Sequence, residues 1–144
     1  MKMIDIGKKD VTEREAIVRG TICLEPKTIQ DIKNKKIPKG DVLETAKLAG
    51  IMAAKKTPDL VMLCHPIPLE YVSVEFSVKE KSIEATTTVK ARARTGVEME
   101  AFTATALALV TIYDMCKFMD RTAVITDVKL IRKSGGKSGL YERK

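Results

Sequence analysis

Two runs of alternating apolar and polar side chains occupy the stretch Tyr71-Val-Ser-Val-Glu-Phe-Ser-Val-Lys-Glu-Lys-Ser-Ile-Glu-Ala-Thr-Thr-Thr-Val-Lys-Ala-Arg-Ala-Arg94. Alternation with a period of two is typical of a strand that buries one face. Only Glu80-Lys81 lies between the runs, so we predict that the two strands pair as an antiparallel hairpin. The side chains predicted to face the core are Val72, Val74, Phe76 and Val78, followed by Ile83, Ala85, Thr87, Val89, Ala91 and Ala93.

A helix is predicted on each side of this hairpin. The first begins with Asp41 as N-cap and Glu44 three residues later, and runs to about residue 56. The second begins with Thr95 and Glu98 in the same arrangement and runs to about residue 120. A polar N-cap followed by glutamate at the third position is a capping box, which satisfies free N–H groups at a helix start. The second helix is apolar nearly all round, so we expect it to be buried on several sides.

The remaining elements complete a familiar order. Residues 16–24 and 122–133 alternate like strands, and Pro26 opens a short helix that reaches Lys33. The sequence therefore predicts strand, helix, strand, strand, helix, strand. This βαββαβ order is that of the α+β, ferredoxin-like fold, an antiparallel sheet with its helices on one face. We predict one domain over residues 1–144, with flexible arms at residues 1–13 and 134–144.

The composition favours an anionic partner. Lys and Arg number 26 against 19 Asp and Glu, a net charge of +7. Aromatic residues are only 4% and tryptophan is absent, so a surface that binds nucleic acid by stacking on bases is not expected. The three cysteines and one histidine have no metal-ligand spacing, so no metal site and a reducing cytoplasm are expected.

The sequence shows no signal for a membrane. The N-terminus lacks the apolar segment of a signal peptide. The most apolar stretch, residues 101–115, contains Thr103, Thr105, Thr111 and Asp114. It is interpreted as too short and too polar to span a bilayer. We therefore expect a cytoplasmic protein without a membrane partner.

Two basic loops are candidates for binding phosphate. Lys39-Gly40 stands just before a predicted helix start, where free N–H groups favour anions. The segment Lys133-Ser-Gly-Gly-Lys-Ser-Gly139 places two lysines among glycines, which let a backbone approach phosphate closely. It is not a P-loop, because Ile131 occupies the position of the required glycine and no helix follows. Each loop is also compatible with a solvated basic surface.

Charged residues of the long helix suggest catalysis. Asp114 and Lys117 are three residues apart, so they share a face and can pair, either structurally or to tune the lysine for proton transfer. Glu100 and Asp114 are 14 residues apart, which is about 21 Å along a helix and within about 40° in projection. One copy cannot easily bring both to one reacting atom. We therefore expect a composite site formed where two copies of the chain meet.

The only histidine lies in Leu63-Cys-His-Pro66. The proline holds this loop extended, and the histidine is compatible with either a structural or a functional role. Cys64 and His65 are not expected to act as a nucleophilic pair, because neighbours in an extended chain point to opposite sides.

These segments together resemble the molybdenum cofactor biosynthesis protein C family, the cyclic pyranopterin monophosphate synthases. The resemblance covers essentially the whole chain, and only the N-terminal arm is short for the family. The motifs are Lys39-Gly-Asp-Val42, Leu63-Cys-His-Pro66, Thr95-Gly-Val-Glu-Met-Glu-Ala101, Ile112-Tyr-Asp-Met-Cys-Lys117 and Lys133-Ser-Gly-Gly-Lys-Ser-Gly139.

The resemblance implies a reaction. The family converts 3′,8-cyclo-7,8-dihydroguanosine 5′-triphosphate to cyclic pyranopterin monophosphate and pyrophosphate, a lyase reaction. It needs no resident cofactor, although Mg²⁺ on the triphosphate is compatible with it. The family forms hexamers, trimers of dimers, with active sites at the dimer interface.

The resemblance also implies roles for residues of this sequence. Asp114 and Lys117 match the catalytic pair, and Lys39 matches a further essential lysine. The positions matching those that hold the guanine-derived part are Leu63, Cys64, His65, Met99 and Glu100, with Glu98 beside them among the substrate-binding candidates. The basic positions near the triphosphate are Arg14, Lys133 and Lys137.

Two other functions share some of these features. An RNA-recognition module has the same element order, but it needs exposed aromatic residues on the central strands, and the outward positions of residues 82–94 carry none. A non-enzymatic nucleotide-sensing module would need the basic loops but not the Asp114–Lys117 pair.

Overall fold

A computed structural model describes all 144 residues. The sheet has the order β2-β3-β1-β4-β5, and every neighbouring pair is antiparallel. The first four strands in this order are those of the predicted βαββαβ unit, so the ferredoxin-like α+β fold is confirmed. The strands are β1 (Thr12–Cys23), β2 (Tyr71–Val78), β3 (Ser82–Ala93), β4 (Val124–Ser134) and β5 (Tyr141–Glu142), and the helices are α1 (Pro26–Lys33), α2 (Val42–Lys55), α3 (Thr57–Leu60) and α4 (Glu98–Cys116).

The hairpin of β2 and β3 has the predicted register. Lys79 N–H donates to the Ser82 carbonyl at 2.8 Å and closes the turn. Val74 lies opposite Thr87, so the two buried faces coincide. All six positions of β3 that were predicted to face inward are buried. The alternation is clear here because one face packs on helices and the other is exposed.

Helices α2 and α4 pack against each other and on one face of the sheet. The largest core cluster combines Ile22 and Ile83 from the sheet with Leu109 and Ile112 from α4. Gly20 lets α4 approach β1 closely, because a Cβ at this position would lie 2.8 Å from the Leu109 Cδ1 atom. The sheet and α4 therefore form one continuous core.

Helix α4 starts later and ends earlier than predicted. Thr95 is not its N-cap: the helix begins after Val97, and no side chain caps it. Val97 is buried in the core beside Ala16 and Val89, which fixes the chain direction by packing. The Glu98 carboxylate, which a capping box would return to the helix start, instead binds Lys133.

Helix α4 is 19 residues long with a mean hydropathy of 1.2. By length and composition alone it would satisfy the test for a membrane span, but half of it is buried inside the protein, as in a core helix.

Both predicted arms include parts of the sheet. Thr12 and Glu13 open β1, which is longer than expected because both pair with β3. At the other end, Tyr141–Glu142 forms β5, which pairs with β4 opposite Lys133 and Arg132. The loop between these strands contains Gly135 and Gly136 with φ of 100° and 73°, a backbone conformation that glycine adopts without strain.

Candidate active site

Asp114 lies in the last turn of α4 between two lysine amines. Lys117 Nζ is 2.7 Å from one carboxylate oxygen, and Lys39 Nζ donates to the other at 2.8 Å. Lys39 also donates to the Asp114 carbonyl at 3.0 Å, which is one of the free carbonyls at a helix C-terminus. The structure therefore brings together the three residues that the sequence analysis assigns to catalysis. We call them the lysine–aspartate cluster.

The lysines set the protonation of this cluster. The hydrogen bond from Lys117, and then that from Lys39, lowers the pKa of the Asp114 carboxyl from its ordinary 3.8 to about 2. The same contact with Asp114 raises the pKa of the Lys117 amine. At neutral pH the carboxylate is ionised and the Lys117 amine is protonated. The cluster can therefore donate protons and stabilise negative charge on a ligand.

The loop before α2 positions Lys39. Asp41 caps α2 by accepting a hydrogen bond from Glu44 N–H at 3.2 Å, as the sequence predicts. This hydrogen bond, followed by the contact with Lys35, lowers the pKa of the Asp41 carboxyl. Gly40 has φ of 116°, so the chain turns sharply between Lys39 and the helix. The turn carries Lys39 to α4, 75 residues further along the chain.

A basic cavity of about 660 Å³ lies at the opposite end of α4. It contains the predicted triphosphate residues Arg14, Lys133 and Lys137, together with Glu98. Six basic side chains and only two acidic ones line this anion cavity, an excess of four positive charges. A triphosphate carries about four negative charges, so the cavity is complementary to it in charge. The charged residues that line it are Lys8, Lys9, Asp10, Arg14, Arg94, Glu98, Lys133 and Lys137.

Glycines let Arg14 lie against the loop after β4. Its guanidinium donates to the Gly135 carbonyl and to the Ala93 carbonyl, both at 3.4 Å. A Cβ on Gly136 would lie 2.1 Å from Arg14 Nη1, so only glycine leaves room for the guanidinium here. The glycines of the basic segment therefore leave space for the side chain of an arginine from β1.

A second cavity of about 300 Å³ adjoins the first and contains the residues predicted to hold the guanine-derived part. Glu100 is 2% exposed. Its burial, and to a lesser extent the neighbouring charge of Glu98, raises the pKa of the Glu100 carboxyl. Burial, followed by the charge of Glu100, also raises the pKa of the Cys64 thiol, so Cys64 is not an activated nucleophile. We call this the acidic cavity, and its predicted members are Leu63, Cys64, His65, Glu98, Met99 and Glu100.

The structure divides the predicted residues into two groups. Nine of them line the two adjoining cavities at the start of α4, and the other three form the lysine–aspartate cluster at its end. The two groups lie at opposite ends of α4, a helix of 19 residues that rises about 1.5 Å per residue. Within one copy of the chain, the two cavities and the lysine–aspartate cluster therefore do not meet.

Some residues of the anion cavity were not predicted from the sequence. Lys8 and Lys9 reach it from the N-terminal segment, and Arg94 reaches it from the end of β3. The Lys8-Lys9 pair was readable as a basic pair close to β1. Nothing in the sequence indicated that the two would meet the loop after β4. Ile4 and Ile6 of the same segment line the acidic cavity.

The chain is similar in sequence to several known proteins. A protein of Streptomyces griseus named cyclic pyranopterin monophosphate synthase is 51% identical over 142 residues, which are 99% of this chain and 80% of the relative. Proteins of the same name from Pelotomaculum thermopropionicum and Novosphingobium aromaticivorans are 48% and 51% identical, over 99% and 98% of this chain and 85% and 90% of their own lengths. A family model described as MoaC family matches residues 3–136, which include the acidic cavity, the lysine–aspartate cluster and all of the anion cavity except Lys137 and Ser138. The chain belongs to the MoaC family.

Proposed function

We propose that this protein is a cyclic pyranopterin monophosphate synthase of molybdenum cofactor biosynthesis. It would convert 3′,8-cyclo-7,8-dihydroguanosine 5′-triphosphate to cyclic pyranopterin monophosphate and pyrophosphate. The observation that supports this best is the pair of adjoining cavities at the start of α4. One has the charge to hold a triphosphate, and the other offers the buried Glu100 and the partly buried Glu98 to nucleobase N–H groups. Relatives that match 99% of this chain and carry this name support the same assignment.

The residues divide the work according to their charge. Arg14, Lys133 and Lys137 would offset the charge of the triphosphate and of the departing pyrophosphate. Leu63, Cys64, His65 and Met99 would surround the guanine-derived ring, with Glu100 accepting from its N–H groups. Lys117 would donate a proton during the rearrangement, with its amine held in place by the contact with Asp114. Lys39 would hold Asp114 in place and add a second positive charge.

We further propose that the active site is formed by two copies of the chain. The anion and acidic cavities of one copy would face the lysine–aspartate cluster of the other. An apolar groove along the exposed side of α4 supports this arrangement, because a second copy lying antiparallel there would place the end of one α4 beside the start of the other. The groove is lined by Leu60, Phe102, Ala106, Leu107, Val110 and Val128. A hexamer, as three such dimers, is part of this proposal.

The proposal requires no resident cofactor. The lysines supply the charge stabilisation that a metal ion would otherwise provide, and any Mg²⁺ would enter bound to the triphosphate. Comparing turnover in Mg²⁺ and in EDTA tests this point. We propose the cytoplasm as the location, in keeping with three free cysteines.

An activity assay tests the function. Purified protein is incubated with the cyclised dihydro-GTP substrate, and pyrophosphate and the oxidised fluorescent pterin are measured. We expect both products from the wild type, and a loss of turnover of at least about 100-fold in Lys117→Ala. Lys129→Ala is the matched control, because it removes a lysine that is also paired with an aspartate at 2.7 Å but lies away from both groups. A folded wild type that forms neither product would favour a nucleotide-sensing module instead.

A further inference from the structure

Glu98 and Lys133 form an ion pair in the lining of the anion cavity. Glu98 Oε1 accepts a hydrogen bond from Lys133 Nζ at 2.6 Å. Both side chains are partly buried, with 25% and 31% of their surfaces exposed. None of the other five basic side chains of the anion cavity is paired with a carboxylate. Lys133 is thus the one cation of this cavity that already has a negative partner.

The position of the Glu98 carboxylate depends on Gly96. A Cβ added at Gly96 would lie 1.9 Å from Glu98 Oε2 and 2.7 Å from its carboxyl carbon. The carboxylate therefore occupies the space that a side chain at position 96 would fill. Gly96 is not among the residues with positive φ, so a Cβ here would act by displacing the Glu98 carboxylate and not by straining the backbone.

Glu98 also stands at the boundary between the two cavities. Its side chain lines the anion cavity with Lys133 and lines the acidic cavity with Glu100. A phosphate oxygen close to Lys133 would be repelled by Glu98 and would compete with it for the same amine. A phosphate carries more charge than a carboxylate and accepts strong charge-assisted hydrogen bonds, so it is the better partner for this lysine.

We propose that Glu98 is an internal counter-ion of Lys133 which a phosphate group of the substrate displaces, and that the released carboxylate then turns into the acidic cavity. This inference rests on the proposed function, because it takes a polyphosphate nucleoside as the ligand. In the acidic cavity Glu98 and Glu100 together offer acceptors to a base with several N–H donors, as guanine has. Binding of the phosphate part thereby strengthens binding of the base part. By linkage, the base part strengthens phosphate binding by the same factor.

Calorimetric titration with two separate probes tests this coupling. Inorganic pyrophosphate probes the anion cavity, and guanosine probes the acidic cavity. We expect pyrophosphate to raise the affinity of the wild type for guanosine by about threefold, the size typical of a partly exposed ion pair. In Glu98→Gln we expect no such increase, because the released side chain carries no charge.

The variants also change pyrophosphate binding alone. Glu98→Gln and Gly96→Ala should each bind pyrophosphate about threefold more tightly than the wild type, since both free Lys133 from its internal partner. Gly96→Ala does so without altering either charged residue, and its thermal unfolding is compared with that of the wild type. Glu13→Gln is the control, because it removes a negative charge from β1 outside the anion cavity. It should change pyrophosphate affinity less than Glu98→Gln does.

Two outcomes would overturn the inference. The first is unchanged or weaker pyrophosphate binding in Glu98→Gln, and the second is guanosine binding by the wild type that pyrophosphate does not alter. Turnover of the wild type is measured in parallel. A wild type that turns over but shows either outcome retains its proposed function and loses the counter-ion exchange. A wild type that shows the coupling but forms no product loses the proposed function alone.

Discussion

Asp114 is ionised throughout the neutral range because two lysine amines donate hydrogen bonds to it. Its folded pKa of about 2 lies below the ordinary value of 3.8. The two ion pairs are therefore complete above pH 4 and are lost as the pH falls through about 2. Any change of turnover between pH 5 and pH 8 must come from other groups.

Carbon-13 NMR of the carboxyl groups can measure this titration directly. We expect an Asp114 midpoint near 2 in the wild type. Lys117→Ala should move the midpoint upward more than Lys39→Ala does, because the hydrogen bond from Lys117 is the larger cause of the lowered pKa. Equal shifts in the two variants, or a wild-type midpoint near 4, would contradict the geometry of the lysine–aspartate cluster.

Glu100 behaves in the opposite sense. Burial raises the pKa of its carboxyl above the ordinary 4.5, so the folded protein holds the proton more tightly than the unfolded chain does. The charged form costs stability at high pH, and the cost vanishes once both states are protonated. We therefore expect the stability of Glu100→Gln relative to the wild type to be greater at pH 8 than at pH 4. Urea unfolding at the two pH values checks this, and a gain that is the same at both would exclude burial of the charge as its cause.

At the residue level, sequence spacing predicted one contact of the cluster and missed another. Asp114 and Lys117 are three residues apart in a helix, so their pairing was readable from spacing alone. Spacing identified Lys39 only as part of a candidate anion-binding loop. Its role beside Asp114 was assigned by resemblance, because the contact spans 75 residues and depends on how α2 packs on α4. Arg94 and Lys8 were missed for the same reason.

At the scale of elements, Asp120 joins the end of α4 to the start of α1. It is 3% exposed, and its carboxylate accepts from Glu25 N–H at 2.8 Å and from Thr122 N–H at 3.1 Å. Burial raises the pKa of this carboxyl. The hydrogen bonds from Glu25 and Thr122 lower the pKa by more than burial raises it, so the net shift is downward. The contact fixes the short segment that follows Lys117.

Removing this carboxylate should destabilise the protein. We expect Asp120→Ala to lower the free energy of unfolding by about 2 kcal/mol, because the partly buried backbone N–H of Glu25 loses its charged acceptor. Asp120→Asn keeps one acceptor oxygen and should lose about half as much. Asp5→Ala is the control. The Asp5 carboxylate accepts a hydrogen bond from the backbone N–H of Gly7 at an exposed site, where water can replace the carboxylate. Denaturant unfolding measures all three, and a loss in Asp120→Ala no larger than in Asp5→Ala would exclude the linking role.

The boundaries of α4 show where local signals fail. Thr95 and Glu98 fit a capping box in sequence, yet neither caps the helix. Two tertiary contacts outweigh the local preference, the burial of Val97 and the ion pair of Glu98 with Lys133. By contrast, Asp41 caps α2 as predicted, since no distant residue competes for its carboxylate more strongly than the helix does.

At the scale of the whole molecule, the sequence predicted the antiparallel sheet and the pairing of β2 with β3, and it missed β5. The proposed assembly of two copies was expected from the sequence, on the spacing of Glu100 and Asp114 and on the family resemblance. Glu100 and Asp114 stand at opposite ends of one helix, and both belong to residues assigned to one substrate.

Mixing two inactive variants tests the composite site. Lys117→Ala disables the end of α4, and Lys133→Ala disables the cavities at its start. In a mixed two-fold dimer, one of the two sites would combine both intact halves, so co-expression at equal levels should restore about a quarter of wild-type turnover. Each variant alone should stay inactive. No recovery from mixed oligomers, confirmed by tag-based isolation, would place the complete site within one copy.

The short strand β5 changes how Lys137 is presented to a ligand. Residues 135–140 are anchored at one end by β4 and at the other by β5, and Arg143 N–H donates to the Ile131 carbonyl at 2.8 Å. Lys137 therefore sits in a closed loop and not on a free tail. Closing the loop costs conformational entropy once, during folding. Phosphate binding therefore has little of this entropy left to lose, and Lys137 is preorganised. This holds although Lys137 lies only seven residues before Lys144.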